Sequence, residues 1–546
     1  MSEMLTILLL PAAPLWPLLL ALAPTVPGLR PVAGRLILSA PLPALLLALA
    51  VTDELHLEIP WILLGGQLGI AETSRLFLFV SALLWLVAGS ALDRPGGLRL
   101  HVWSCLTMAG NFAVLLARDI PTFFFAYALM SLASFGLVIH TGSQAARYAA
   151  KVYLIFAVLG EMILLSALLW AAHQSQSLAL PVTYEDPAGQ LMMLMLFLGF
   201  GIKAGVPLLH FSLPPAYAVT PIAGVVPMAG ALLHLGLYGW LSFLPLGQFA
   251  LPVWSGVFLA AGVVAMFYGA GVGILQREPR ALLAYSSMSQ MGLMLLAIGI
   301  GLAAPNAWPT LLPLVLLFTL YHALAKGALF YGLGISGPLR SGLWLPALTL
   351  AGLPLTGGAW VKGLLKTELS SLPGFWPELL TWLLPLGSVA TTLLMARFIY
   401  LSRQPGSDRQ AAPLAWMGLL SALLITPWIW PLSLHPVSPV WDALWPILFG
   451  SILAWLVWRG YWNQALATIP SLPPGDLLNL TTGLARLIPV GKSGHELHAR
   501  PGSGAIWSGT KNRLPTHIER VLGRWPVAMG LLLCVLLGLL LLLLAV

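Results

Sequence analysis

Charge is what this chain of 546 residues has least of: 8% of it is charged, against about 25% in a soluble protein. Apolar residues make up 59% and the mean hydropathy is +0.91, which excludes a soluble fold of this length. Cysteine is nearly absent. Cys105 and Cys534 both lie in apolar runs, so a disulfide scaffold is excluded as well. There is no P-loop, no CxxC pair, no haem motif and no iron–sulfur spacing, so no cofactor is expected and no redox energy can be harvested within this chain. The net charge of +8 and the pI near 9.6 do not point to nucleic acid, because the basic residues do not cluster on a soluble domain. What remains is an all-α polytopic membrane protein.

A spanning helix needs about 20 mostly apolar residues. Sixteen stretches qualify: 4–27, 36–51, 75–93, 103–117, 121–140, 151–172, 189–207, 220–242, 254–276, 282–303, 310–334, 342–366, 376–401, 412–432, 441–462 and 526–546. The first lacks the leading Lys or Arg of a signal peptide and carries Glu3, so a retained helix is expected. One connection is long, 463–525, rich in Pro, Gly and polar residues, with an amphipathic stretch at 475–488.

With the N-terminus outside, Arg30, Arg35, Arg94, Arg99, Arg147, Lys151, Arg277, Arg280, Arg340, Arg397, Arg403, Arg409 and Arg459 fall in inner loops, as do the basic residues of 463–525. Only Arg75 and Arg118 fall outside, while Glu54, Glu58, Glu72, Asp119, Glu368 and Asp442 are among many acids there. The positive-inside rule fits this orientation and not its inverse.

A few charges remain in apolar runs: Lys203, Lys326, Lys362, Lys366 and Glu161, with His234 and His322 beside them in kind. A charge at mid-bilayer costs about 2.5–3.5 kcal/mol, so such residues face a bundle interior or a wet cavity, and a functional reading is the default. An interhelical hydrogen bond is the plainer alternative for each, and Lys366, near an outer helix end, is expected to snorkel. Lys203 precedes Pro207, and Lys362 follows Pro354, Gly357 and Gly358. Interrupted helices in corresponding places of two halves point to a transport site. These are helices 7 and 12, which implies two inverted five-helix repeats. The chain then divides into N-terminal helices (1–102), a first repeat (103–242), a second repeat (254–401), further helices (412–462), a polar cytoplasmic segment (463–525) and a last helix (526–546). Weaker patterns are set aside: Gly269, Gly271 and Gly273 read as helix packing, and HELH at 495–498 lacks the HExxH spacing.

At these residues the sequence resembles the proton-conducting, antiporter-like membrane subunits shared by respiratory complex I, Mrp-type cation/proton antiporters and energy-converting hydrogenases. The likeness covers about 75–400. LLAYSSMSQMGLMLLAIG (282–299) looks like the family's helix 10, YHALAKGALFYGLG (321–334) its helix 11, and KAGVPLLHFSLPPAYAVTP (203–221) and AGLPLTGGAWVK (351–362) its broken helices 7 and 12. FAYALMSLASFGLV (125–138) and VYLIFAVLGEMILL (152–165) look most like the large membrane subunit of hydrogenase-4 and formate hydrogenlyase. The resemblance implies that Lys203, His234, Lys326 and Lys362 form a buried proton path, with His322 one turn before Lys326. It also implies other membrane and redox subunits as partners, H+ or Na+ as the ion, and a multi-pass place in the cytoplasmic (inner) membrane with lipid around it.

The sequence departs from the family at Ala128, where helix 5 should carry a Glu, and Glu161 on helix 6 is expected to take over its pairing with Lys203. Pro215 and Tyr217 stand where the family often has Asp and His. The Pro and Gly of 463–525 do not suit the long lateral helix of the largest complex I subunit. The expected function is proton translocation within a complex I-like or hydrogenase-like oxidoreductase. A multisubunit cation/proton antiporter and an energising subunit for inorganic-carbon uptake are the alternatives, and a purely structural scaffold is disfavoured by the buried lysines.

Overall fold

The computed structural model describes residues 3–459, apart from 26–27, 30–31, 51–53, 61–64, 93–97, 404–410 and 430–439. All of these fall within the unit 1–485. The 463–525 segment, its amphipathic stretch at 475–488 and the expected span 526–546 lie outside the described residues.

The chain is mostly helical. It opens with α1 (Glu3–Ala21), α2 (Ala33–Leu36) and α3 (Leu42–Ala50), then a β-hairpin of β1 (Leu55–Ile59) and β2 (Gly66–Ile70). A first run of helices follows: α4 (Glu72–Gly89), α5 (Leu98–Leu116), α6 (Ile120–Val138), α7 (Gln144–Ser175), α8 (Gln190–Ala204), α9 (Leu213–Val219), α10 (Ile222–Pro227) and α11 (His234–Phe243). A second run comprises α12 (Pro252–Leu275), α13 (Pro279–Ala303), α14 (Trp308–Gly332), α15 (Trp344–Ala351), α16 (Gly357–Thr367) and α17 (Trp376–Ser402). The described part closes with α18 (Pro413–Ile429) and α19 (Val440–Arg459).

Ten described helical stretches are long and apolar enough to cross a membrane, and 8–21, 190–204 and 413–426 are shorter apolar helices. Of the sixteen stretches expected, 526–546 lies outside the described residues, and the rest of the difference has local reasons. The span expected at 103–117 is α5, whose Arg99, His101 and Asn111 lower its hydropathy. The span expected at 342–366 is two short helices, α15 and α16. Three segments sit at the centre: an 18-residue stretch of α13 and one of 222–243 are wholly buried, and most of one in α14 is. Their buried residues lie on every side, polar ones included, as in a helix with no solvent or lipid face.

Glycines set the closest approaches. On α12, Gly269 faces α13, where a Cβ would lie 2.7 Å from Ser289 N, while one on Gly271 would meet nothing within 4 Å. The GAGVG run is thus a packing stripe, as its place within a helix suggests. The hairpin is an element the sequence reading passed over, although Leu55, Leu57 and Ile59 alternate with His56 and Glu58. Its strands pair antiparallel, Leu55 opposite Ile70 and Ile59 opposite Gly66.

Two helix ends share one construction. At 204–208 the chain reads Ala-Gly-Val-Pro-Leu, and at 351–355 Ala-Gly-Leu-Pro-Leu. In each, the glycine is left-handed (Gly205 φ +73°, Gly352 φ +101°), and the leucine after the proline is left-handed too (Leu208 φ +69°, Leu355 φ +66°). In each, the N–H after the glycine reaches back five residues, Val206 to Gly201 and Leu353 to Leu348, both at 3.0 Å. This Schellman-type end closes α8 and α15, and the proline prevents the helix from resuming at once.

Candidate functional site

Lys203 lies in the last turn of α8, where the helix dipole favours a cation. Its side chain is buried, and Nζ donates to Ser131 Oγ at 2.9 Å and to the Tyr153 hydroxyl at 3.3 Å. The ammonium also lies 5.6 Å from the Tyr127 ring centre and 5.5 Å from that of Tyr153. Glu161, on α7 and 5% exposed, interacts electrostatically with both Lys203 and Ser131. All five residues line one cavity of about 20 Å³, room for about one water molecule. Ser131 is on α6, one turn after Ala128, so a hydroxyl and an acid on α7 occupy the neighbourhood where an α6 carboxylate was looked for.

α8 and α11 meet at Gly236, where a Cβ would lie 2.7 Å from Ala204 N. This brings the start of α11 close to the Lys203 turn. Just before α11 the helix widens into a π-turn at Met228–Leu232, a distortion that often marks functional positions. His234 follows it, and its ring lies 2.8 Å from Gly230 O through Nδ1 and 3.0 Å from His322 Nδ1 through Nε2. A carbonyl can only accept, so in the neutral pair His234 carries its proton on Nδ1 and its Nε2 accepts from His322 Nδ1–H. His322 Nε2 is left as the basic nitrogen, buried without a hydrogen-bond partner among the described residues. The two histidines come from different runs of helices, and both are buried. Gly230 allows the approach: a Cβ there would lie 2.9 Å from Ala323 O.

Lys326 is four residues after His322 on α14, on the same helix face, and fully buried. Nζ donates to Leu283 O of α13 at 3.1 Å. Next to it α13 presents Ser286, Ser287 and Gln290, all buried. Gln290 accepts from the Tyr321 hydroxyl at 3.5 Å and donates to Thr391 Oγ1 of α17 at 3.0 Å. Lys362, on α16, is partly buried and donates to Ala351 O at 2.7 Å and Leu350 O at 3.3 Å. These are the last carbonyls of α15, the negative end of that helix. Lys362 also lines a cavity of about 540 Å³. Lys366 does not simply snorkel: it reaches Asp442 Oδ2 at 2.8 Å.

The residues singled out from sequence thus fall into three groups: Glu161 with Lys203, His234 with His322 and Lys326, and Lys362 alone on its carbonyls. Sequence reasoning missed Ser131, Tyr153, Gln290, Thr391 and Asp442. The polar run Ser286-Ser287-Met288-Ser289-Gln290 inside an apolar helix was the available signal for Gln290.

Residues 117–366 match the family model described as NADH:quinone oxidoreductase/Mrp antiporter, transmembrane. Among curated proteins, hydrogenase-4 component B of Escherichia coli (strain K12) is 29% identical over 293 residues, covering 50% of this chain and 43% of that protein. NADH-quinone oxidoreductase subunit M of the same organism is 29% identical over 346 residues, 55% of this chain and 66% of that protein. The match therefore spans less than two thirds of either relative. Among solved structures, the Mrp complex from Dietzia sp. DQ12-45-1b has a TM-score of 0.72 at 20% identity, covering 98% of this chain and 63% of the matched one. Respiratory complex I from Thermus thermophilus has a TM-score of 0.62 at 20% identity, covering 77% of this chain and 96% of that one. At such identity the structural likeness speaks for the fold.

Proposed function

We propose that this chain is an antiporter-like membrane subunit of the kind found in NADH:quinone oxidoreductases and Mrp antiporters, and that it passes protons along Lys203, His234, His322, Lys326 and Lys362, with Glu161 controlling the first of them. The observation that carries this reading is the 3.0 Å hydrogen bond between His234 and His322. It joins a helix of the first run to one of the second by two groups that can each take and give a proton. With His322 in its other tautomer, a proton arriving on His234 Nε2 passes to His322 Nδ1, and His322 releases the one on Nε2 toward Lys326, so a charge crosses between the halves without either side chain moving far. Lysines stand on both sides of this pair. A buried ammonium is costly unless paired, so occupation of one site disfavours occupation of the next.

The energy comes from elsewhere. Moving one proton against 100 mV needs about 2.3 kcal/mol. The reading is therefore of a translocating subunit in the cytoplasmic membrane, driven by redox subunits of a complex I-like or hydrogenase-type assembly. The broken helices α8–α9 and α15–α16 support two inverted repeats as its frame. The test is Lys203→Ala in the assembled complex, reconstituted in vesicles with a pH-sensitive dye. Coupled proton uptake should be lost while electron transfer continues. Undiminished proton movement in a complex that assembles normally would reject the reading. Cation exchange without any redox partner would favour the antiporter alternative instead.

A further inference from the structure

The cavity of about 540 Å³ at Lys362 is lined on one side by α16 and on the others by α17 and α19. Three charged residues line it: Lys362, Lys366 and Asp442. Lys362 and Lys366 are four residues apart, so they share a face of α16. Lys362 points to the carbonyl end of α15, while Lys366 Nζ holds Asp442 Oδ2 at 2.8 Å. The Lys366 and Asp442 side chains are 46% and 42% exposed, so the ion pair stands at the mouth of the cavity and Lys362 deeper within it. Asp442 is in the first turn of α19, where the helix dipole favours a carboxylate. It also lies beyond residues 117–366, the part that matches the family model. Ser388 of α17 lines the same space, one turn before Thr391 in the Gln290 chain. Most of its wall is apolar, but Lys362, Lys366, Thr367, Ser388 and Asp442 offer polar partners, and a space this large has room for a chain of water molecules between them.

We propose that Asp442 receives the proton that leaves Lys362 and passes it to the outer aqueous phase, with Lys366 as the counter-charge that resets it. This rests on the proton path above. In the first step the N–H bond of the Lys362 ammonium breaks and an O–H bond forms on Asp442 through water in the cavity, giving a neutral amine and a neutral carboxyl. In the second the carboxyl gives its proton to outer water and becomes a carboxylate again. Lys366 keeps its proton throughout and draws the regenerated carboxylate back into the ion pair. Breaking that pair is part of each turnover. Release toward the open side is favoured because the Asp442 side chain is 42% exposed to it, and Lys366 then holds the regenerated carboxylate.

The test uses the assembled complex in vesicles, with the pH of the outer face varied independently. In the native protein translocation should slow as the outer face is acidified, since outer protons then oppose release from Asp442. Asp442→Asn should cut the rate by about a hundredfold, the lower end of what a positioned proton-transfer group contributes, and should abolish that dependence on outer pH. Asp442→Glu should restore both. Lys366→Gln, which removes the charge favouring the carboxylate, should move the acid limb to higher outer pH. If Asp442→Asn does not assemble, the Lys366→Gln shift alone decides. Native rates and an unmoved acid limb in these variants, with Lys203→Ala still inactive, would overturn the role of Asp442 and leave the path intact. An active Lys203→Ala would overturn the path itself.

Discussion

The break after α8 and the break after α15 are built from nearly the same five residues, with the same left-handed glycine and leucine and the same backward hydrogen bond, yet each receives its cation differently. Lys203 immediately precedes the first Ala-Gly-x-Pro-Leu stretch. At the matching position of the second stands Leu350, and the ammonium comes instead from Lys362, twelve residues on, which crosses the break to the carbonyls of Leu350 and Ala351. Local sequence therefore makes the break, while tertiary packing decides what charge is held there. The surroundings differ accordingly. Lys203 meets two hydroxyls and has an acid in the same cavity. Lys362 meets backbone carbonyls alone at its ammonium, with the nearest acid of its cavity committed to Lys366. A carboxylate can be switched and a backbone dipole cannot, so on the proposed path control by charge would fall to the first break and release to the second.

The variant that breaks this contrast most severely is Glu161→Gln. If the first break is the controlled one, removing its acid uncouples Lys203. A change of about 1.4 kcal/mol is tenfold in rate, so translocation should fall about tenfold or more in vesicle assays, with assembly judged by co-purification. A rate unchanged from native would make the two breaks equivalent.

Gly205→Ala and Gly352→Ala separate the breaks by consequence. Both force an L-residue into the left-handed region, at about 1–2 kcal/mol each, which should appear as a lower Tm in detergent. A Cβ on Gly205 would press on Leu213 at 2.7 Å, while one on Gly352 would lie 3.2 Å from Lys362 Nζ. The first should therefore act on stability alone, and the second should slow translocation as well. Equal losses of rate would remove the distinction.

How much of this was legible in the sequence follows from cost. Lys203, Lys326 and Glu161 announced themselves because a charge in an apolar run needs a reason. The breaks were legible from Pro207 and Pro354, and the repeated Ala-Gly-x-Pro-Leu was readable though unread. Ser131 was not legible, because Ser and Thr in apolar helices commonly bond back to their own carbonyls, as Ser134 does to Met130. Only the packing of α6 on α8 gives Ser131 another task. Asp442, beside Trp441 at the start of a span, has the look of an interfacial residue until α16 is placed next to it. The hairpin's alternation was a fair signal in a segment too short to draw attention.

Ser131→Ala tests the smaller part of the first break. Removing the acceptor from a buried ammonium leaves Tyr153 as the remaining hydroxyl partner, a loss of about 1 kcal/mol. Translocation should fall severalfold, less than in Glu161→Gln, and no change would show that the acid alone controls Lys203.

The smallest expected effect concerns how the two runs of helices are tied together. Arg280, in the first turn of α13, donates to Thr220 O at 3.0 Å, at the end of the short helix that follows the first break. Two residues earlier Glu278 caps α13, its carboxylate accepting from Ala281 N–H at 2.6 Å. Burial pushes the Glu278 carboxyl up to about 7 from an ordinary 4.5, against the Ala281 N–H and Arg280, which favour the ionised form. The folded state therefore holds this proton more tightly than the unfolded chain. Its contribution to stability is full below about pH 4.5 and is lost progressively as the pH rises to about 7. Glu278→Gln keeps an oxygen for the cap and has no proton to lose. The difference in Tm between variant and native should thus grow in the variant's favour from about pH 4.5 to about 7 and then level off. A difference independent of pH would mean that the cap is hydrated and that the α13 terminus is not a buried tie between the halves.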